Sequence, residues 1–319
     1  MLFESYVNLV NDYPRDRDHL FGHPLVEDSS LWLAVDHDAY PVLLFASRRE
    51  EVRNDVELRS ISVHFSRDCV IEAHDGYTNS GVYTVVCLRE NDPDVVRMVL
   101  RLLGETFNIR NRPFTNKEIA ARILELADLF RQIGESVGDV VGLWGELYIL
   151  SCSSNLETAV RSWCINKNAK YDYVTEQFVL EAKTTLLSRR KHRFTLDQLR
   201  PIGEFSVYVA SLAVVELSAG RTTSELMDEL YDKICDDDLR ARFLAQCLVK
   251  GGRDMYLSTL KLGTFPDGTS LIVLNAVGVP VPIIPENSLI TNVRFDIDLT
   301  DLSPVSQSEK DMVLAFGME

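Results

Sequence analysis

Short apolar runs alternate with turn residues through the first third of the chain. Runs of about five to ten residues, separated by polar and turn-forming residues, are typical of strands in an antiparallel sheet. The pattern predicts strands at 31–35, 41–46, 56–65, 69–73 and 82–88. It therefore indicates an antiparallel β-rich unit at the N-terminal end.

Helix signals follow this unit. Asp92 before Pro93 is a typical helix start, because Asp caps the first turn and proline fits the first helical position. Thr115 and Glu118 have the spacing of a capping box. We predict helices that begin at residue 93, that span 115 to about 130 and that span 140–150, with a linker at 108–113.

The second half alternates extended and helical segments. Predicted strands lie at 171–174, 178–184, 204–217, 255–262, 270–275 and 292–297, and predicted helices at 196–200, 224–234 and 239–249. This alternation favours a mixed sheet flanked by helices. The fold class is thus mixed α+β and α/β, with an antiparallel β-rich domain at 1–112 and a mixed-sheet domain at 113–319.

Charge changes this picture locally. The 319 residues carry a net charge of −15, and so acidic a chain is repelled from nucleic acid unless its cations are concentrated. Residues 161–200 hold nine Lys or Arg against four Asp or Glu, a charge of +5, while the other 279 residues sum to −20. The cations are therefore placed as a phosphate-tracking groove requires.

Cysteines and termini bear on the compartment. The six cysteines include no C-x-x-C pair, which favours reduced thiols and argues against structural zinc. The N-terminal residues lack the basic and apolar segments of a secretion signal, and no apolar run is long enough for a membrane span. We expect a cytoplasmic protein without a membrane partner.

Candidate chemistry is concentrated in residues 170–185, KYDYVTEQFVLEAKTT. Glu181 and Lys183 share one face of the predicted strand because side chains alternate. Asp172 would reach the same place across a tight turn. Two carboxylates beside a lysine suit Mg²⁺, or Mn²⁺ as a substitute, and metal-assisted phosphodiester hydrolysis.

Two flanking features support this site. The segment 140–150 is apolar apart from two glycines and Glu146, so one carboxylate is carried into a packed environment. Gly142 and Gly145 would let this helix approach the sheet closely. After the strands, the cationic segment 188–193 leads into a predicted helix with Gln198.

These residues resemble the PD-(D/E)XK nuclease superfamily, in which an acidic residue is followed on the next strand by (D/E)-x-K. Asp172 and Glu181-Ala182-Lys183 fit this pattern, and Lys183 alone among the nine lysines has an acidic residue two positions before it. Tyr171 stands where a proline often precedes the first acid. With the G-x-W-G-E segment that ends at Glu146, the arrangement is similar to a PD-(D/E)XK family of bacterial restriction-like, anti-phage defence gene clusters.

The resemblance implies a restriction-endonuclease-like domain and a DNA endonuclease activity. Asp172 and Glu181 would hold the metal with the Ala182 carbonyl, and Glu146 would act directly or through water. Lys183 would activate water and Gln198 would orient backbone or solvent. The resemblance also implies a helicase-like ATPase and a DNA methyltransferase as partners. Phosphate contacts are expected from Arg189, Arg190, Lys191, His192 and Arg193.

Other interpretations remain open at this point. Glu181 and Lys183 could form an ordinary cross-strand pair, Glu146 could pair with Arg161, and 189–193 could be a solvated loop. Asp36-His37-Asp38 is better explained as a polar turn than as a metal site. The chain could also be a non-catalytic DNA-binding or assembly subunit, or a nuclease for RNA or branched nucleic acid. The N-terminal domain would read DNA or dock a partner.

Overall fold

The chain divides into two units in the structure, a computed structural model: Met1–Gln132 and Ile133–Glu319. The division comes after most of the helix Asn116–Gly134, whereas the predicted linker precedes this helix. The described residues are 2–14, 19–28, 30–51, 53–58, 61–73, 75–90, 93–107, 113–134, 139–164, 169–200, 203, 205–252, 254–265, 268–285 and 289–317. Asp92 and most of the predicted linker lie outside them.

A β-sheet forms the centre of the first unit. Its strands, in the spatial order β1-β2-β3-β6-β5-β4, run antiparallel to their neighbours, and an extra parallel pairing joins β1 to β5. The antiparallel β-rich prediction is therefore confirmed for this unit. The strands are β1 (Leu20–Pro24), β2 (Leu31–Val35), β3 (Pro41–Ala46), β4 (Val56–Glu57), β5 (Ile61–Glu72) and β6 (Thr78–Leu88). The helices are α1 (Leu2–Asp12), α2 (Pro93–Phe107) and α3 (Asn116–Gly134).

Local signals in this unit are only partly right. The predicted gap at 66–68 is a register shift within β5, with Ser66 in the left-handed region at φ 51°. The capping box at α3 is confirmed, because the Glu118 carboxylate accepts the Thr115 backbone N–H at 2.9 Å. Asp36 forms the expected polar turn, in which its Oδ1 accepts the backbone N–H groups of Asp38 and Tyr40.

A mixed sheet forms the core of the second unit. Its strand order is β13-β10-β8-β7, in which β8 and β10 are parallel and the other neighbours are antiparallel. The four strands are β7 (Tyr173–Val174), β8 (Phe178–Thr185), β10 (Ser206–Ala213) and β13 (Leu271–Asn275). Two strand pairs lie beside it: β9 (Lys191–Thr195) with β14 (Arg294–Asp298), and β11 (Val215–Arg221) with β12 (Leu262–Gly263).

Helices and 3₁₀ turns complete this unit. The predicted helices at 140–150, 224–234 and 239–249 are confirmed. The predicted helix at 196–200 is a 3₁₀ turn, Leu196–Leu199. The helices are α4 (Val140–Ser151), α5 (Leu156–Ser162), α6 (Thr223–Tyr231), α7 (Asp237–Gly251), α8 (Asp254–Leu257) and α9 (Gln307–Ala315).

Three predicted segments need correction. The predicted strand 255–262 begins as helix α8, and the predicted strand 204–217 is divided between β10 and β11. The cationic segment, for which a solvated loop was one interpretation, contains strand β9, whose side chains alternate between exposed Lys191 and Arg193 and buried His192 and Phe194. The alternation of exposed and buried side chains was not recognised in the sequence, because a run of cations usually indicates a solvated loop.

Helix α4 lies very close to strand β8. Leu143, Trp144 and Leu147 are buried, and an added Cβ on Gly145 would overlap the Thr184 side chain. Gly145 therefore provides the close approach that the sequence suggested. Gly142 has a different role, because its backbone N–H is capped by the Asp139 carboxylate at 2.8 Å.

None of the described helices combines the length and the apolar character that a membrane crossing needs.

We expect Gly145→Ala to lower the free energy of unfolding by about 1–3 kcal/mol, because the new methyl group must displace Thr184. Gly278→Ala is the matched control, since its Cβ would meet nothing within 4 Å. Urea unfolding should show part of the loss restored in Gly145→Ala/Thr184→Ala. Equal stability of Gly145→Ala and wild type would disprove the close contact.

Candidate functional site

A tight hairpin brings the first two carboxylates together. Thr175 closes the turn between β7 and β8 by donating its backbone N–H to the Phe178 carbonyl at 3.0 Å. The register pairs Tyr173 with Leu180, so its continuation places Asp172 opposite Glu181. Asp172 Oδ2 also accepts the Ala182 backbone N–H at 2.9 Å, which fixes this carboxylate against β8.

Glu181 is the most deeply buried acid of the site. Its side chain is 4% exposed, and its Oε1 lies 2.7 Å from Lys183 Nζ and 2.5 Å from Gln198 Nε2. Burial and then the charge of Asp172 raise the pKa of Glu181 to about 8, although Lys183 acts in the opposite direction. Glu181 and Lys183 thus share one face, as the strand alternation predicted.

The Gln198 side chain is held by a backbone N–H group at the start of its own 3₁₀ turn. Its Oε1 accepts the Thr195 N–H at 2.9 Å at the start of the 3₁₀ turn, which leaves Nε2 directed at Glu181. Tyr171, which replaces the proline often found before the acid, donates its hydroxyl to the Arg200 carbonyl at 2.6 Å. Tyr171 therefore links the start of the hairpin to the segment that carries Gln198.

Glu146 reaches the same cluster from helix α4. Its Oε2 accepts the Trp163 indole N–H at 2.5 Å and contacts Lys250 Nζ at 2.6 Å. Burial and the charge of Asp172 raise the pKa of Glu146 to about 7. The alternative pairing with Arg161 is wrong, since Arg161 contacts Asp236 at 2.7 Å and Glu157 at 3.8 Å.

Lys250 is the site residue that the sequence reasoning missed. It lies in the last turn of α7, is 11% exposed, and its Nζ contacts both Glu146 Oε2 and Asp172 Oδ1, the latter at 3.3 Å. Burial acts to lower the pKa of Lys250, but the two acids outweigh it and raise the pKa, so the ammonium form is favoured. One signal was available, because Lys250 is the only charged residue among 243–252, an otherwise apolar stretch with two glycines and Gln246.

The donor set suits a divalent cation in its chemistry. Three carboxylates share one cluster, and the charge of Asp172 acts on both glutamates. Glu146 Oε1 and Glu181 Oε2 accept no hydrogen bond from the described residues. As arranged, however, no group of three or more His, Cys, Asp or Glu within the described ranges is positioned to hold a metal ion.

Comparison with protein families places this cluster in context. The chain matches, over residues 25–300, the family described as "Putative PD-(D/E)XK family member, (DUF4420)". The chain belongs to the DUF4420 family. No protein of curated function and no solved structure matches it significantly. Membership of DUF4420 suggests a nuclease, and the matched residues include Glu146, Asp172, Glu181, Lys183 and Gln198.

The cationic segment of this DUF4420 protein is arranged differently from the expectation. Arg189 pairs with Asp298 at 2.6 Å, and Arg193 binds Asp296 through two hydrogen bonds. Lys191 is exposed on β9, the strand that also carries Arg193. The positive charge of this segment is therefore partly offset by acids that are distant in sequence.

Two of the five predicted phosphate contacts are directed into the fold. Arg190 donates to the backbone carbonyls of Ser211, Thr269 and Ser270 at 2.5–2.9 Å. The His192 ring is buried, and its Nε2 lies 2.8 Å from the Ser211 hydroxyl. In this structure both side chains make their hydrogen bonds within the fold, so the expected phosphate contacts of Arg190 and His192 are corrected to structural contacts.

We expect His192 to make the stability of the protein depend on pH. Burial, with help from Lys183 and Arg190, lowers the pKa of His192 to about 4. Between pH 6.5 and about 4 the unfolded chain takes up a proton that the folded ring does not, so stability falls as the pH falls. Urea unfolding should show this slope reduced in His192→Gln by up to about 1.4 kcal/mol per pH unit. Parallel slopes in wild type and variant would contradict the neutral buried ring.

Proposed function

We propose that this protein is a metal-dependent nuclease that hydrolyses phosphodiester bonds in DNA. One observation carries the proposal: Asp172, Glu181 and Lys183 meet at one end of the β7–β8 hairpin, beside Glu146 and Gln198. A buried carboxylate with a raised pKa, placed among other carboxylates and a lysine, is costly unless the site has a chemical use. Membership of a PD-(D/E)XK family agrees with this chemistry.

The carboxylates would hold the metal. Asp172 and Glu181 would bind it together with the Ala182 carbonyl, and Glu146 would contribute directly or through a water molecule. Bound Mg²⁺, or Mn²⁺ in its place, supplies charge for the phosphate oxygens and lowers the pKa of a coordinated water. Oxygens that make no hydrogen bond within the described residues remain on both glutamates for this purpose.

Lys183 and Gln198 would prepare the reaction from the protein side. The Lys183 ammonium lies 2.7 Å from Glu181 and 5.1 Å from the centre of the Phe194 ring, so its position is defined on two sides. From there it would orient the attacking water and offset charge on the phosphate. Gln198 would keep the Glu181 carboxylate in its orientation through the 2.5 Å hydrogen bond.

DNA would be held by the exposed cations around β9. The side chains of Arg189 and Arg193 are 64% and 74% exposed, and such ion pairs with Asp298 and Asp296 contribute little to stability. Phosphates can therefore replace the aspartates at small cost, and Lys191 adds a further charge. This local supply of cations is what an acidic chain needs to bind DNA.

The biological setting rests on the sequence resemblance. We propose that the protein works in the bacterial cytoplasm as part of an anti-phage defence system. A helicase-like ATPase and a DNA methyltransferase are the proposed partners. The first unit, which has no concentrated cationic stripe in its sequence, is proposed to dock a partner.

We expect the full chain with Mg²⁺ or Mn²⁺ to cut supercoiled DNA. Glu181→Gln and Lys183→Met should reduce the rate about 100-fold or more, because each removes a group that acts on the reacting water or metal. Lys261→Met is the matched control, since Lys261 pairs with Glu225 at 3.7 Å in the same unit and touches none of the site residues. Gel assays on supercoiled, linear and single-stranded DNA and on RNA measure the rates.

The comparison of substrates and variants decides between the alternatives. Cutting by wild type and Lys261→Met alone supports the nuclease. Faster cutting of RNA than of DNA would show that RNA is the preferred substrate. Equal cutting by all the variants would show contamination. Metal and DNA binding without cutting, with or without the proposed partners, would favour a non-catalytic subunit.

A further inference from the structure

Lys250 occupies a special position among the acids of the site. It comes from the C-terminal turn of α7, 78 residues after Asp172 and 104 residues after Glu146. Its Nζ contacts one oxygen of each, at 2.6 Å from Glu146 Oε2 and 3.3 Å from Asp172 Oδ1. The acidic-x-lysine motif does not include Lys250, and its contacts differ from those of Lys183, which pairs with Glu181.

One contact of Lys250 uses an oxygen that a metal would need. Asp172 has its other oxygen bound to the Ala182 N–H, so Oδ1 is the one that faces a cation, and that oxygen contacts Lys250. Ammonium and metal carry the same sign of charge, so both cannot occupy the space between two carboxylates. Binding of the metal therefore requires Lys250 to move.

The side chain is built for such a movement. A lysine has a flexible four-carbon stem with a compact charge at its end. Helix α7 ends one residue after Lys250, before Gly252 at φ 60°. Rotation of the stem can thus move the ammonium without a change in the buried part of the helix.

We propose that Lys250 is a built-in counter-ion, which offsets part of the negative charge of Glu146 and Asp172 in the metal-free protein and is displaced when a divalent cation binds. It is a positioning residue that keeps the acids together before the metal arrives. This inference rests on the proposed function in one respect, the metal site itself. It adds that the protein sets its own metal affinity by making the cation compete with a lysine.

Metal affinity of Lys250→Met tests the proposal directly. Methionine keeps the chain length without the charge, so Mn²⁺ should bind the full-length variant at least about tenfold more tightly than wild type. Calorimetry, or the electron paramagnetic resonance signal of free Mn²⁺, measures this without any DNA. Lys261→Met, which removes one positive charge elsewhere, should bind Mn²⁺ as wild type does.

A second measurement on wild type does not depend on the variant folding. Acetic anhydride modifies accessible amines, and Lys250 is protected by burial and by its two ion pairs. Saturation with Mn²⁺ should increase acetylation of Lys250 several-fold, as measured by mass spectrometry of peptides. Lys261 is the internal reference, because its acetylation should not change.

The outcomes separate this inference from the nuclease proposal. Tighter binding by Lys250→Met and faster acetylation support the counter-ion. If Mn²⁺ binds wild type and is lost in Glu181→Gln, but Lys250→Met binds no more tightly and Lys250 stays protected, the counter-ion is overturned and the metal site stands. Absence of Mn²⁺ binding by wild type and Lys250→Met alike would overturn both.

Discussion

The requirement to balance buried negative charge governs the second unit of this protein. Glu146, Asp172 and Glu181 share one cluster. Among the described residues, Lys183 and Lys250 are the only cations that contact these three acids. Three acids against two lysines leave one negative charge too many. Burial raises the pKa values of Glu146 and Glu181, and the charge of Asp172 raises them further. The fold thus holds three carboxylates and two lysines in one largely buried cluster.

Several anchors keep these like charges together. The β7–β8 hairpin fixes Asp172 through a backbone N–H, and α4 approaches β8 at Gly145. Trp163 donates to the Glu146 carboxylate, and the Tyr173 hydroxyl donates to the Glu146 carbonyl at 2.8 Å. Hydrogen bonds of this kind define the orientation of a charged group before any ligand arrives, which is what an active site needs.

Charge outside the site follows a related principle. The chain is acidic, and its exposed arginines near β9 are paired with Asp296 and Asp298. Such pairs prevent a strong cationic surface in the free protein while leaving the arginines accessible to a phosphate.

Local patterns were sufficient for much of the architecture and for part of the site. Alternation predicted β8 and the shared face of Glu181 and Lys183, and the acidic spacing led to Asp172. The isolated Glu146 in an apolar helix pointed to a buried carboxylate. These features depend on residues close in sequence, whose geometry is set by the strand and helix periods. Strand β9 was missed because its alternation was hidden by a run of charges.

Only the tertiary structure decided which distant partners meet. Lys250 lies on α7, and nothing in its local sequence shows that it faces Glu146 and Asp172. His192 and Arg190 belong to the cationic segment, yet both are turned inward by pairing of β9 with β14 and by contacts to β10. The sequence by itself therefore determined much of the secondary structure and the acidic motif. Chain packing determined the counter-ions, because charge balance in a buried site is a property of residues far apart in the sequence.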